Sequence, residues 1–256
     1  MSELGVIEKA QAQAICDAVK EKEGSTEPIP FNVVADRITA LKVGGGDNKL
    51  AQLVEGALTE ITAEDLEGAT KIDSSAFYDR TNLTSITIPD SVTEIGSYAF
   101  AYCSRLTSIT IPNSVTSVGG NVFYDCKGLT RVTISDSLTE IGGNMFNNCS
   151  GLTSITIPNS VTKINGYAFA YCSRLTRVTI SDSLTEIGFY AFTSCSRLTS
   201  ITIPNSVTKI DSSAFYNCSS ITDIYIDKPE GSVSGSPWGA TNAQIHWNTP
   251  LPSEEV

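Results

Sequence analysis

The 256 residues carry 17 Lys and Arg against 28 Asp and Glu, a formal net charge of −11. That excess argues against a nucleic-acid partner and against anionic membrane surfaces. No apolar run approaches bilayer-spanning length, so membrane insertion is not expected. The opening stretch MSELGVIEKAQAQAIC has neither a basic start nor an apolar core, so no secretory signal is expected.

In chain order, Ile7, Ala10, Ala14, Ile15, Ala18 and Val19 form an apolar stripe at helical spacing that stops before Gly24. A second stripe follows Pro28, through Phe31, Val34, Ala35, Ile38 and Leu41. Together they predict a small helical hairpin with a glycine linker, Gly44-Gly45-Gly46, over 1–46. Such a hairpin serves either as a cap or as an attachment module.

From there a period of 23 residues takes over. Phenylalanine recurs at Phe77, Phe100, Phe123, Phe146, Phe169, Phe192 and Phe215. Leucine keeps the same register from Leu83 to Leu198, with Ile221 closing the series. Cysteine does so at Cys103, Cys126, Cys149, Cys172, Cys195 and Cys218, with Arg80 in its place at the start. A period of this size means a solenoid, whose units bury their apolar faces only against each other. Within one unit, Thr84–Ile88 alternates as a short strand that Pro89 ends; Val92 and Ile95 turn inward, and Gly96 permits a bend. Ala99, Phe100 and Cys103 fit one helical or 3₁₀ turn. Seven units in parallel make a rod roughly 35 Å long. A degenerate opening unit is visible at Leu58, Ile61, Ile72 and Phe77, two residues longer than the others between its inward isoleucines. The solenoid is expected over 47–226 and a C-terminal cap and tail over 227–256, with Trp238 and Trp247 covering the open end.

The LxxIxIP…VxxIGxxAFxxC pattern from Leu83 to Ile226 closely resembles the BspA-like leucine-rich repeats of bacterial and protist surface proteins. The resemblance implies a right-handed α/β leucine-rich-repeat solenoid of short parallel strands, with a non-catalytic role in adhesion or recognition. The segment 14–41 is similar to a short module of phage-tail and prophage proteins, and 228–248 resembles the closing segment of such repeat proteins. Two contexts follow: a cell-surface protein, or a tail component of a virion contacting the host envelope. An inert spacer is a third reading.

The duplication unit is a pair of repeats. RVTISDSLTEIG stands at Arg131–Gly142 and again at Arg177–Gly188, letter for letter, 46 residues apart. Binding by near-identical copies is expected to be spread along the rod and to gain from multivalency. With Ile86 and Ile88 inward, the outer columns of the expected concave face are Ser and Thr, among them Thr133, Thr156 and Thr179. Arg131, Arg177, Asp223 and Tyr225 interrupt them and are the candidate ligand contacts. The alternative is a solvated face of good β-formers, with each arginine paired to an acid such as Asp136 or Asp182. A second candidate is an aromatic patch of Tyr98, Tyr102, Tyr167, Tyr171 and Tyr190, which serves either as binding surface or as cover for neighbouring repeats.

Catalytic and metal signatures are not found. There is no GxSxG, HExxH or P-loop, and the one histidine, His246, reads as packing or surface. Cysteines in one column point the same way, which suits a ladder of buried reduced thiols better than disulfides or zinc. No cofactor is expected. The expected partners are a protein or a cell-surface glycan.

Overall fold

The computed structural model describes residues 59–248, so the hairpin and linker expected over 1–46, Cys16, Leu58 and the tail beyond 248 lie outside them. Two short strands recur in each coil. They are β1 (Glu60–Ile61), β2 (Lys71–Ile72), β3 (Ser85–Ile86), β4 (Glu94–Ile95), β5 (Ser108–Thr110), β6 (Ser117–Val118), β7 (Arg131–Thr133) and β8 (Glu140–Ile141). The later coils add β9 (Ser154–Ile157), β10 (Lys163–Ile164), β11 (Arg177–Ile180), β12 (Glu186–Ile187), β13 (Ser200–Ile203), β14 (Lys209–Ile210), β15 (Asp223–Ile226) and β16 (Gln244–Trp247). Odd-numbered strands and β16 form a first row, paired as β1–β3, β5–β7, β9–β11 and β13–β15–β16. Even-numbered strands form a second row, paired as β2–β4–β6 and β8–β10–β12–β14. Every pair is parallel and sets the inward residue of one coil beside that of the next, for example Ile164 beside Ile187. The fold is a parallel β-solenoid of about eight coils.

The second row was not anticipated, because its strands are two residues long and show no alternation to read. The helical turn expected at Ala99–Cys103 is not there, and among the described residues the one helix is a 3₁₀ turn, Glu64–Leu66. The hydrogen bonds give the reason. A helix returns each N–H to a carbonyl of its own segment. Here Ala99, Ala101 and Cys103 donate to Gly96, Tyr98 and Phe100, whereas Tyr98, Phe100 and Tyr102 donate to Gly120, Val122 and Tyr124 of the next coil. The same alternation runs from Ser75 to Arg80 and from Asn144 to Cys149. It forces Ser75 and Asp79, and then Tyr98 and Tyr102, into left-handed φ of 60°, 56°, 58° and 64°.

Gly96 serves the stacking and not the bend. Its φ lies outside the left-handed region, but a Cβ there would come 2.4 Å from the backbone nitrogen of Ser74 in the preceding coil. The two extra residues of the opening coil are absorbed by the 3₁₀ turn, where Asp65 accepts from the amide and hydroxyl of Thr62 at 2.8 Å.

The core is one unbroken stack. Phe77 to Phe215 lie with ring centroids 5.2–5.6 Å apart and planes within 5–10°. This offset stacking adds about 0.5–1.5 kcal/mol per pair to the gain from burial. Each column thiol donates to a phenylalanine carbonyl 26 residues back, as Cys149 does to Phe123 at 3.1 Å. All six are buried and free. Threonines just before the strands form two further ladders, one for each row: Thr84 donates both N–H and Oγ1 to the carbonyl of Thr59 in the first, and Thr185 does the same to Thr162 in the second. At the far end Trp238 is fully buried and accepts the Phe215 amide at 2.9 Å. Trp247 belongs to β16, which extends the row; it is part of the last strand and not a cover laid over it.

Two outcomes follow. Phe146→Ala should cost about 3–5 kcal/mol, and Cys149→Ala about 1 kcal/mol, since the Phe123 carbonyl keeps the Cys126 amide. Equal thermal midpoints for wild type and both variants would contradict the assigned register. Burial pushes the Cys103 and Cys172 thiols up to about 12 and that of Cys218 to about 11, above their ordinary 9.0. A raised folded pKa gives stability that is whole below the unfolded value and lost above it. Stability should therefore fall as pH rises above 9.0, by about 1.4 kcal/mol per thiol and pH unit, and the midpoint with it, while native thiols resist alkylation. A flat midpoint with rapid alkylation would contradict it.

Candidate functional site

The two rows present different outer faces. On the second row, the outer column carries three lysines and three glutamates that alternate except where Ser117 stands between Glu94 and Glu140, and most of them pair across strands. Lys71 lies 3.0 Å from Glu94, and Glu186 pairs with Lys163 at 3.4 Å and Lys209 at 2.6 Å. On the first row, hydroxyls dominate, and Thr133, Thr156 and Thr179 stand exposed in one column. Arg131 and Arg177 project from the adjacent column, each beside a serine of the neighbouring strand, Ser108 and Ser154. Among the described residues neither guanidinium forms an ion pair, with Asp136, Asp182 or any other carboxylate. One strand separates them, so they stand on the order of 10 Å apart.

The first row ends on a polar cluster. Asp223 and Tyr225 on β15 are in register with Gln244 and His246 on β16. His246 Nε2 lies 2.7 Å from Asp223 Oδ1, and its ring stacks on Tyr225 at 4.6 Å. The His246 and Thr222 hydrogen bonds hold the Asp223 carboxyl below its ordinary range. His246 was read from the sequence as packing or surface and not as part of this cluster, because β15 to β16 is a step of 21 residues and breaks the period.

The aromatic candidates lie on another side of the coil, in the turn between the second row and the next first-row strand. Tyr98, Tyr102, Tyr167, Tyr171 and Tyr190 all occupy left-handed positions, with φ of 58°, 64°, 57°, 59° and 52°. Other coils place Asn, Asp or Ser in the same columns, such as Asn121, Asn144 and Asp125. The five do not form one patch. Tyr102 meets Tyr78 and Tyr124 edge-on at 5.3 and 5.5 Å. Tyr167 and Tyr190 stack at 5.2 Å and are joined by Phe189 and Tyr216. Between the two groups lies a coil of Asn144, Asn147 and Asn148. Tyr78, Tyr124, Phe189 and Tyr216 were not among the expected residues. Phe189 carried a signal, since it is the first residue at which the second copy of the repeated pair departs from the first, where Gly143 stands.

Loops after the first-row strands frame an open depression of about 510 Å³, lined by Asp182, Asn205, Ser206 and Asp227. Among the described residues no group of three or more His, Cys, Asp or Glu is placed to hold a metal ion. No helix among them is long and apolar enough to cross a membrane.

Comparison with known proteins agrees with this geometry. The family model for the BspA type leucine rich repeat region matches in six copies over 70–187 and 146–234. No curated protein matches the chain. Among solved structures, a leucine-rich repeat protein from Eubacterium ventriosum is similar at 31% identity and a TM-score of 0.61, over 65% of this chain and 45% of that one. The leucine rich repeat protein of T. pallidum aligns at 26% identity and 0.58, over 64% and 78%. One from Bacteroides ovatus shares the fold at 24% and 0.57, and this chain spans 59% of its length.

The left-handed tyrosines yield a direct test. Tyr98 is 42% exposed and makes no ring contact among the described residues, so its side chain does little for the fold. Tyr98→Asn should leave the thermal midpoint unchanged or raise it by up to about 1 kcal/mol of stability, because asparagine tolerates this φ better. A clear drop would show that the tyrosine is there for packing.

Proposed function

We infer, for a chain that belongs to the BspA-type leucine-rich repeat family, a non-catalytic protein that adheres to a macromolecular surface through the outer face of the first row. The observation that carries this reading is the contrast between the rows. One face pairs most of its charges across strands; the other, among the described residues, leaves Arg131 and Arg177 without an ion pair in a field of hydroxyls. A guanidinium fork grips carboxylates, phosphates or paired hydroxyls. The ligand proposed is a repeating polymer of that chemistry, such as a cell-wall glycan, or a protein surface displaying acidic groups at that spacing. Thr133, Thr156 and Thr179 line the path between the arginines, and Asp223 and Tyr225 mark its end. The place of action proposed is the cell surface. The likeness of 14–41 to tail-associated modules supports the alternative of a virion contacting the host envelope.

The double variant Arg131→Ala, Arg177→Ala should keep its thermal midpoint and lose affinity for isolated bacterial cell walls by roughly 10–100-fold, as expected for charged hydrogen bonds. Full affinity in the variant would move binding off this face. No binding by the wild type to walls or to surface proteins would favour the spacer.

A further inference from the structure

We propose that Tyr167, Phe189, Tyr190 and Tyr216 form a second binding site, a platform for an extended, uncharged β-linked polysaccharide running along the solenoid axis. The site is built. Phe189 is 52% exposed and its ring lies over Gly166, where a Cβ would come within 2.5 Å of it. Tyr167 meets Phe189 edge-on at 5.1 Å and stacks on Tyr190 at 5.2 Å, and Tyr216 closes on Tyr190 at 6.0 Å. Rings from three successive coils thus share one surface, with Phe189 and the 56% exposed Tyr216 outermost.

The fold does not require these residues. Sibling coils carry Gly120, Gly143 and Gly166 in the Phe189 column, and Asn121 and Asn144 in the Tyr167 and Tyr190 column. The duplicated pair is identical through Gly142 and Gly188 and diverges at the very next position. There a glycine gives way to an exposed ring, beside a tyrosine held in a left-handed conformation that asparagine fills more easily. Residues kept against backbone preference and against burial point to a ligand.

Charge and spacing select its class. The charged residues nearest the platform in sequence, Lys163, Arg174, Glu186, Arg197 and Asp211, are of mixed sign, so the chain's acidic excess is not concentrated there. Tyr167 and Tyr190 lie face to face, so the exposed rings of Phe189 and Tyr216, at 84° and 82° to them, are the ones left to stack on the C–H faces of sugar rings, while tyrosine hydroxyls serve sugar hydroxyls. The coil rise of about 4.8 Å is close to the length of one β-linked hexose, so successive sugars meet successive coils. This site is independent of the arginine face.

The test is calorimetric titration of the full chain with cellohexaose and chitohexaose. The wild type should bind at least one. Phe189→Gly with Tyr167→Asn and Tyr190→Asn, all residues already used in sibling coils, should bind roughly tenfold or more weakly at an unchanged or higher thermal midpoint. If the triple variant does not fold, Phe189→Gly alone should show the same direction. The Arg131→Ala, Arg177→Ala variant should bind the oligosaccharides as the wild type does. The proposal fails if neither saccharide binds, if the triple variant binds fully, or if only the arginine variant loses binding. It also fails if the platform residues are needed for a protein ligand and for no saccharide.

Discussion

In the five coils from Ser75 to Tyr171, every second amide in the turn segment leaves its own coil and bonds to the next. Tyr98, Phe100 and Tyr102 reach Gly120, Val122 and Tyr124, while the residues between them close tight turns at home. The rest of the molecule depends on this alternation. It welds the coils at the side opposite the first row, where strands alone would leave a seam. It places the phenylalanine of each coil directly over the last, so the aromatic stack runs from Phe77 to Phe215. And it obliges two residues in each of the six coils from Ser75 to Ser194 to adopt positive φ, which decides where side chains leave the turn. Columns that answer to this constraint with asparagine or aspartate are the inexpensive solution. Columns with tyrosine are not.

Much of the fold was legible because the core repeats its identities. A phenylalanine, a leucine and a cysteine at one interval specify coil length, inward direction and stacking without any knowledge of partners. What could not be read is what depends on a backbone partner 23 residues away. The Thr84 and Thr107 column looked like ordinary strand threonine, yet its hydroxyls bond across coils. The second row has two-residue strands with no alternation. The segment Ala99–Cys103 has helical spacing, but spacing cannot show that every other amide is engaged elsewhere. Likewise the free cysteines were read as small packing groups, and their thiols prove to be donors to the phenylalanine carbonyls.

The surfaces follow from the same register. In-register stacking turns each exposed position into a column, so a single substitution in one coil stands out against its siblings. On the second row this sets Lys beside Glu at Lys71–Glu94 and along Lys163, Glu186 and Lys209. On the first row it sets two arginines one strand apart among hydroxyls. On the turn side it gathers rings from successive coils, interrupted by one coil of asparagines. The candidate residues taken from the sequence all lie on these columns. Phe189, which was missed, and His246, whose place beside Asp223 was not read, sit where the period breaks, at a glycine replaced by an aromatic ring and at the irregular last strand.

Amide hydrogen exchange across Asn144–Cys149, in a middle coil, tests the central constraint most directly. The alternation predicts comparable protection at all six amides, with Asn144, Phe146 and Asn148 as slow as their neighbours because their acceptors, Gly166, Ala168 and Ala170, belong to the next coil. A short helical turn would leave its first amides without partners. Fast exchange at Asn144 and Phe146 beside slow exchange at Asn148 and Cys149 would contradict the account.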